Sequence, residues 1–130
     1  MFKGVEYMIS QLGQVMLYVE DQEQSKKFWT EKLGFTVVSD IDNGMRIITI
    51  APNDPTQTSI VIHDKKKISE LSPELNLTTP SLMFYAQNLE ELYKDFQAKG
   101  ITVGEFMKMP FGKVFNFADD EENYFAVMEK

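Results

Sequence analysis

The chain is predicted to be an α+β protein built from two tandem βαβββ modules, and three observations carry that prediction. An apolar run that alternates between two faces, Gln14 to Val19, leads into a stripe of helical period and then a glycine stop. The same order of strand, helix and glycine begins again at Ser81. The spacing from Gln14 to Gly34 and from Ser81 to Gly100 differs by one residue, so length, order and punctuation all repeat.

Module one spans about residues 12–63. Its first strand puts Gln14, Met16 and Tyr18 on one face and Val15, Leu17 and Val19 on the other. Asp21 is placed to cap the helix that follows, on which Ser25, Phe28, Trp29 and Leu33 form the packing stripe. Gly34 supplies the left-handed residue that ends it. A strand over Phe35–Ser39 is joined by Asp42-Asn43-Gly44, a hairpin signal, to a strand over Met45–Ile50. Pro52 to Pro55 breaks the chain. Thr58–His63 forms the fourth strand, with Ser59, Val61 and His63 on one face and Ile60 and Ile62 on the other. The segment before Leu12 fits either an amphipathic stretch or an extra edge strand.

Residues 64–80 read as a linker carrying Lys65-Lys66-Lys67, with a helical turn near Ile68–Leu71. Module two, about 81–129, follows with a strand over Ser81–Ala86 and a helix over Leu89–Lys99, Leu92 and Phe96 facing inward. Gly100 ends that helix and Ile101–Phe106 is the next strand. Lys113–Phe117 and Tyr124–Glu129 complete the module, joined by the acidic turn Asp119–Asn123. One domain contains both modules.

A net charge of -7 and a pI near 4.7 lack the basic stripe that nucleic-acid binding needs. The absence of cysteine excludes disulfides, thiolate metal ligands and a cysteine nucleophile. Met1–Gln11 has no uninterrupted apolar stretch of the length a signal peptide or membrane span requires, so a cytoplasmic protein without membrane contact is the expectation.

The pattern Asp21, Ser25, Phe28-Trp29, Leu33-Gly34-Phe35, set within two consecutive βαβββ units, resembles the vicinal oxygen chelate superfamily, the glyoxalase, bleomycin-resistance protein and extradiol dioxygenase group. The resemblance covers residues 12–129. It implies a mixed sheet curled around a cavity with helices outside, and pairing of modules between two chains in a homodimer. Metal enzymes of this group hold a divalent ion with four side chains, and their positions fall here on Gln14, Val61, Ser81 and Ala126. The family's turn before the last ligand corresponds to Asp119–Asn123, which lacks its proline and glycine.

A divalent ion needs several carboxylates or imidazoles converging at about 2.0 to 2.3 Å. Valine and alanine cannot provide them, and Gln14 is a neutral amide. His63, the single histidine, lies two residues beyond Val61 on the same strand face and serves an alternative reading, a divalent-metal lyase, isomerase or dioxygenase with a relocated site. Its plainer role is a hydrogen-bonded strand-end residue beside Asp64. Ser81 has no visible base to activate it.

The cavity faces instead carry Met16, Tyr18, Met83, Tyr85, Tyr124 and, beside them, Met128. Core filling is the plain account of these residues; a pocket for a planar or hydrophobic molecule is the functional one. The ligand-binding set is therefore Gln14, Met16, Tyr18, Val61, His63, Ser81, Met83, Tyr85, Tyr124 and Ala126. The corresponding function is a glyoxalase- or bleomycin-resistance-like binding protein for a small organic molecule, with no cofactor expected. Arg46 can point into the cavity or away from it, because the turn before it blurs its parity.

Overall fold

A computed structural model describes residues 8–52 and 58–130. Module one consists of β1 (Gln14–Val19), α1 (Gln22–Lys27) continued by a π turn (Phe28–Lys32), β2 (Thr36–Asp42), β3 (Arg46–Ala51) and β4 (Ser59–Asp64). A connecting helix, α2 (Lys65–Leu71), leads to module two: β5 (Met83–Ala86), α3 (Leu89–Ala98), β6 (Met107–Met109), β7 (Gly112–Ala118) and β8 (Tyr124–Glu129). Residues 8–13 are in neither helix nor strand, and the break expected at Pro52–Pro55 lies mostly outside the described residues.

Each module forms one four-stranded mixed sheet, ordered β1-β4-β3-β2 and β5-β8-β7-β6. The first strand of each runs parallel to the last, and the remaining pairs are antiparallel. The two sheets are not joined by a strand ladder. Register makes the repeat explicit. Met16 pairs with Val61 and Tyr18 with His63 in one sheet, and Met83 pairs with Ala126 and Tyr85 with Met128 in the other. The repeat therefore superposes Met16 on Met83, Tyr18 on Tyr85, Val61 on Ala126 and His63 on Met128.

Local chemistry accounts for the helices. Asp21 is extended, and its carboxylate accepts from the Gln24 N–H at 3.0 Å. The Leu33 N–H reaches back five residues to the Phe28 carbonyl at 3.3 Å, while the Phe35 N–H bonds the Trp29 carbonyl at 3.0 Å. Gly34, at φ 79°, makes that reversal without the Cβ strain that other residues meet. The lysine run opens α2 rather than lying in an extended linker, because Asp64 caps it by accepting from the Lys67 N–H.

Module two departs from expectation over Ile101–Phe106. Val103 makes an isolated bridge to Phe117, and regular pairing with β7 resumes at Met107. The Gly104 N–H donates to the Asn116 carbonyl at 2.7 Å, so this stretch follows β7 without a continuous ladder. The strand forms next to the Pro110-Phe111 turn, where a hairpin holds β6 and β7 in register.

One hydrophobic core serves both modules. Leu17, Val19, Ile48, Ile50, Ile60 and Ile62 from the first sheet join Phe115, Phe117, Phe125 and Val127 from the second, with Phe28, Trp29 and Phe96 from the helices. Trp29 is fully buried and makes edge contacts with Phe84 at 5.9 Å and Phe125 at 5.5 Å, which bind the first helix to the second sheet. Each sheet thus has one face committed to this core and an opposite face, here called open, on which large residues such as Met16, Met83, Tyr85 and Tyr124 are exposed while Ser59, Val61, Thr49 and Val114 are buried.

Candidate functional site: the two open sheet faces

The expected site residues divide between these open faces. In module one, Gln14, Met16 and Tyr18 of β1 lie beside Ser59, Val61 and His63 of β4, and Thr49 and Ile47 of β3 continue the rows. In module two, Met83 and Tyr85 of β5 lie beside Tyr124, Ala126 and Met128 of β8, with Asn116 and Val114 of β7 next in line. Ser81 precedes β5 and is exposed. Alternation set by the strand period is what puts each group on one face.

Exposure differs between the faces in a way the sequence did not reveal. Val61 is 3% exposed, covered by its neighbours, whereas Met83, Tyr85 and Tyr124 are 49%, 64% and 59% exposed. The plain reading of these three as core filling is therefore wrong: they lie at the surface of the chain. Their neighbours of opposite parity turn to the core, Phe125 buried in it and Phe84 packed against it.

His63 stacks on Tyr18 with ring centroids 5.6 Å apart and an interplanar angle of 19°. Its Nε2 is 3.2 Å from the Met16 sulfur, and its Nδ1 is buried without a partner among the described residues. Burial lowers the His63 pKa, so the ring is neutral at pH 7 and takes one donor and one acceptor role. The second face has a thioether, Met128, at the matching position. Lys130 places its Nζ 5.7 Å from the Tyr85 ring centroid.

The family's metal positions do not fit an ion. Val61 and Ala126 carry no donor atom, and Gln14 and Ser81 are neutral. Among the described residues no group of three or more His, Asp or Glu side chains is arranged to hold a metal. Arg46, whose direction the sequence left open, belongs to the helix side. Its guanidinium is 2.7 Å from Asp40 and 2.9 Å from Glu23 of α1, and Lys26 reaches the same Asp40 at 2.8 Å. These cations hold the Asp40 carboxyl far below the usual carboxylate range.

A cleft of about 400 Å³ lies between the modules, lined by Leu33, Phe35, Phe84, Leu92, Phe96 and Phe117 among others. Of the expected site residues, Tyr85 alone borders it. Its walls are mainly residues of the opposite parity, such as Phe84, Phe117 and Val127, with Tyr85 the one point where it meets a row described above. Sequence reasoning missed it because its walls come from the end of the π turn, β5 and α3, which no local pattern brings together.

A family model for the Glyoxalase/Bleomycin resistance protein/Dioxygenase superfamily matches residues 11–127, and the chain belongs to that superfamily. Its fold is that of the vicinal oxygen chelate group. The Bacillus subtilis (strain 168) protein YetH is 32% identical over 125 residues, which span 94% of this chain and 100% of YetH. The solved structure of TnmS3, an antibiotic binding protein from Streptomyces sp. CB03234, has a TM-score of 0.79 at 24% identity, covering 93% of this chain and 96% of that one. A fosfomycin resistance protein, FosX, from Listeria monocytogenes has a TM-score of 0.71 at 16% identity, covering 95% of each chain. No helix among the described residues is long and apolar enough to cross a membrane.

Proposed function

We propose that the chain is a binding protein for a small, largely apolar organic molecule, held on the open sheet faces without a catalytic metal. The observation that carries this reading is the composition of those faces at register-matched positions. Where metal enzymes of the superfamily place ligands, this chain has Gln14, Val61, Ser81 and Ala126. Around them stand Met16, Tyr18, Met83, Tyr85 and Tyr124, which offer ring faces and polarisable sulfur to a flat or hydrophobic ligand. His63 adds one neutral hydrogen-bonding group. The antibiotic binding described for TnmS3 is consistent with such chemistry on this fold.

The rows are open in one chain, and β1 and β5 are each the edge of their sheet. A ligand pocket generally buries most of its ligand, and an edge strand with an apolar face is a ready surface for another copy. A homodimer that encloses the faces, in the cytoplasm, completes the proposal. Its test is a thermal-shift screen of planar aromatic and antibiotic-like compounds, run with and without EDTA. A hit should raise the melting temperature by mass action, be insensitive to chelator, and weaken in Tyr85→Ala and Met16→Ala variants. A stoichiometric Ni, Zn, Fe or Mn content that survives dialysis and vanishes in His63→Ala would instead establish the relocated metal site.

A further inference from the structure

The modules meet at a charged corner that neither open face uses. The backbone N–H groups of Glu20 and Asp21, at the end of β1, donate to the Glu121 carboxylate at 2.9 to 3.0 Å. One turn into α1, the fully buried Ser25 donates its hydroxyl to Asp120 Oδ2 at 2.8 Å. The other Asp120 oxygen, Oδ1, is buried and has no hydrogen-bond partner among the described residues. Asp119 is buried as well but satisfied, accepting from the Glu121 and Asn123 N–H groups and from the Asn123 amide.

The turn that carries Asp120 supplies Asp119 and Glu121, both of which oppose its ionisation, and its own backbone N–H, which favours it. From α1 and the π turn, Gln24, Lys27, Glu31 and Lys32 line a cleft of about 320 Å³ that Asp119 and Asp120 also border, and Thr102 adds a hydroxyl from the far side. Neither Lys27 nor Lys32 forms an ion pair with Asp120 among the described residues.

We propose that this corner is an acid-tightened latch: protonation of Asp120 closes the junction between the modules through α1, and ionisation loosens it. An ionised Asp120 holds a charged oxygen, Oδ1, in a buried position that no side chain among the described residues donates to, with two further carboxylates nearby. A protonated one loses that charge while Oδ2 still accepts from Ser25. Burial, the largest cause, together with the neighbouring carboxylates outweighs the hydrogen bonds from Ser25 and from its own backbone N–H and pushes Asp120 up to about 6. Because the folded value exceeds the unfolded one, the native state binds the extra proton. The latch contribution is complete below about pH 3.8 and is lost as pH rises through about 6.

The experiment uses the full chain and its Asp120→Asn variant, whose amide oxygen can still accept from Ser25. The variant should melt above the wild type at about pH 7.5, and the difference should shrink as pH falls through about 6 and vanish only below about pH 3.8. After correction for intrinsic exchange rates, wild-type amides of residues 20–25 and 119–123 should be protected about tenfold more at the acid end, and the variant equally at both. Ser25→Ala removes a hydrogen bond that favours ionisation, so it should move the wild-type midpoint to higher pH. Coincident pH profiles for wild type and Asp120→Asn would overturn the latch. So would an Asp120 carboxyl titration by NMR at an ordinary aspartate value, a measurement that needs no variant to fold.

Discussion

At the residue scale, two side chains show how position rather than identity sets behaviour. Arg46 is joined to Asp40 and Glu23 across the sheet–helix contact, in a network of modest exposure. Solvent screening limits what it contributes, so Arg46→Met should cost about 1 kcal/mol in urea unfolding, less in high salt. Because Asp40 is depressed, that contribution is present above its ordinary pKa and disappears as pH falls below it. His63 titrates in a different window. Its folded pKa lies below the ordinary value of about 6.5, so the folded state resists protonation and stability falls as pH drops through that value. His63→Phe should therefore lose less melting temperature than wild type between about pH 7.5 and about pH 5.5, a comparison that calorimetry can make directly. Arg46 itself was illegible in the sequence, since the hairpin before it hides which face it takes.

Helices and turns were more readable. Asp21, the Ser25-Phe28-Trp29 stripe and Gly34 announced α1 and its end, because capping and left-handed termination are local chemistry. Gly34→Ala tests this: open space surrounds the position, so the cost should be backbone strain alone, about 1 kcal/mol in chemical denaturation. A cost near zero would show that the terminus relaxes. The π turn at Phe28–Lys32 was not readable, since one extra residue in a helical turn leaves the apolar stripe nearly unchanged. Membership of the two faces followed from strand parity, whereas the register between β1 and β4 did not, since parity decides which side a residue takes and not which residue it pairs with. The Asp120 corner did not, because its hydrogen bonds join residues about a hundred positions apart and no short-range pattern encodes them.

For the whole molecule, the shared core predicts one unfolding transition, not two. Trp29→Ala removes the ring that Phe35, Phe84 and Phe125 surround, and should cost about 3 to 5 kcal/mol. Probes in either module should lose structure together, with calorimetric and van't Hoff enthalpies in agreement. Light scattering addresses the proposed dimer. Tyr85→Glu should shift the mass from two chains toward one, because it sets a charge on an exposed apolar row. A single-chain mass for the unaltered protein would remove the dimer from the proposal.

Trp29 also has an optical consequence. It is the single tryptophan, it is fully buried at the meeting of the modules, and its indole nitrogen has no partner among the described residues. Its emission should therefore be that of a dry, apolar site, and it belongs to the core side rather than to the rows that a ligand would cover. Any colour change on adding a compound or acid would then report movement of one module against the other, not direct contact. The chain carries its own gauge of that movement, with no label attached.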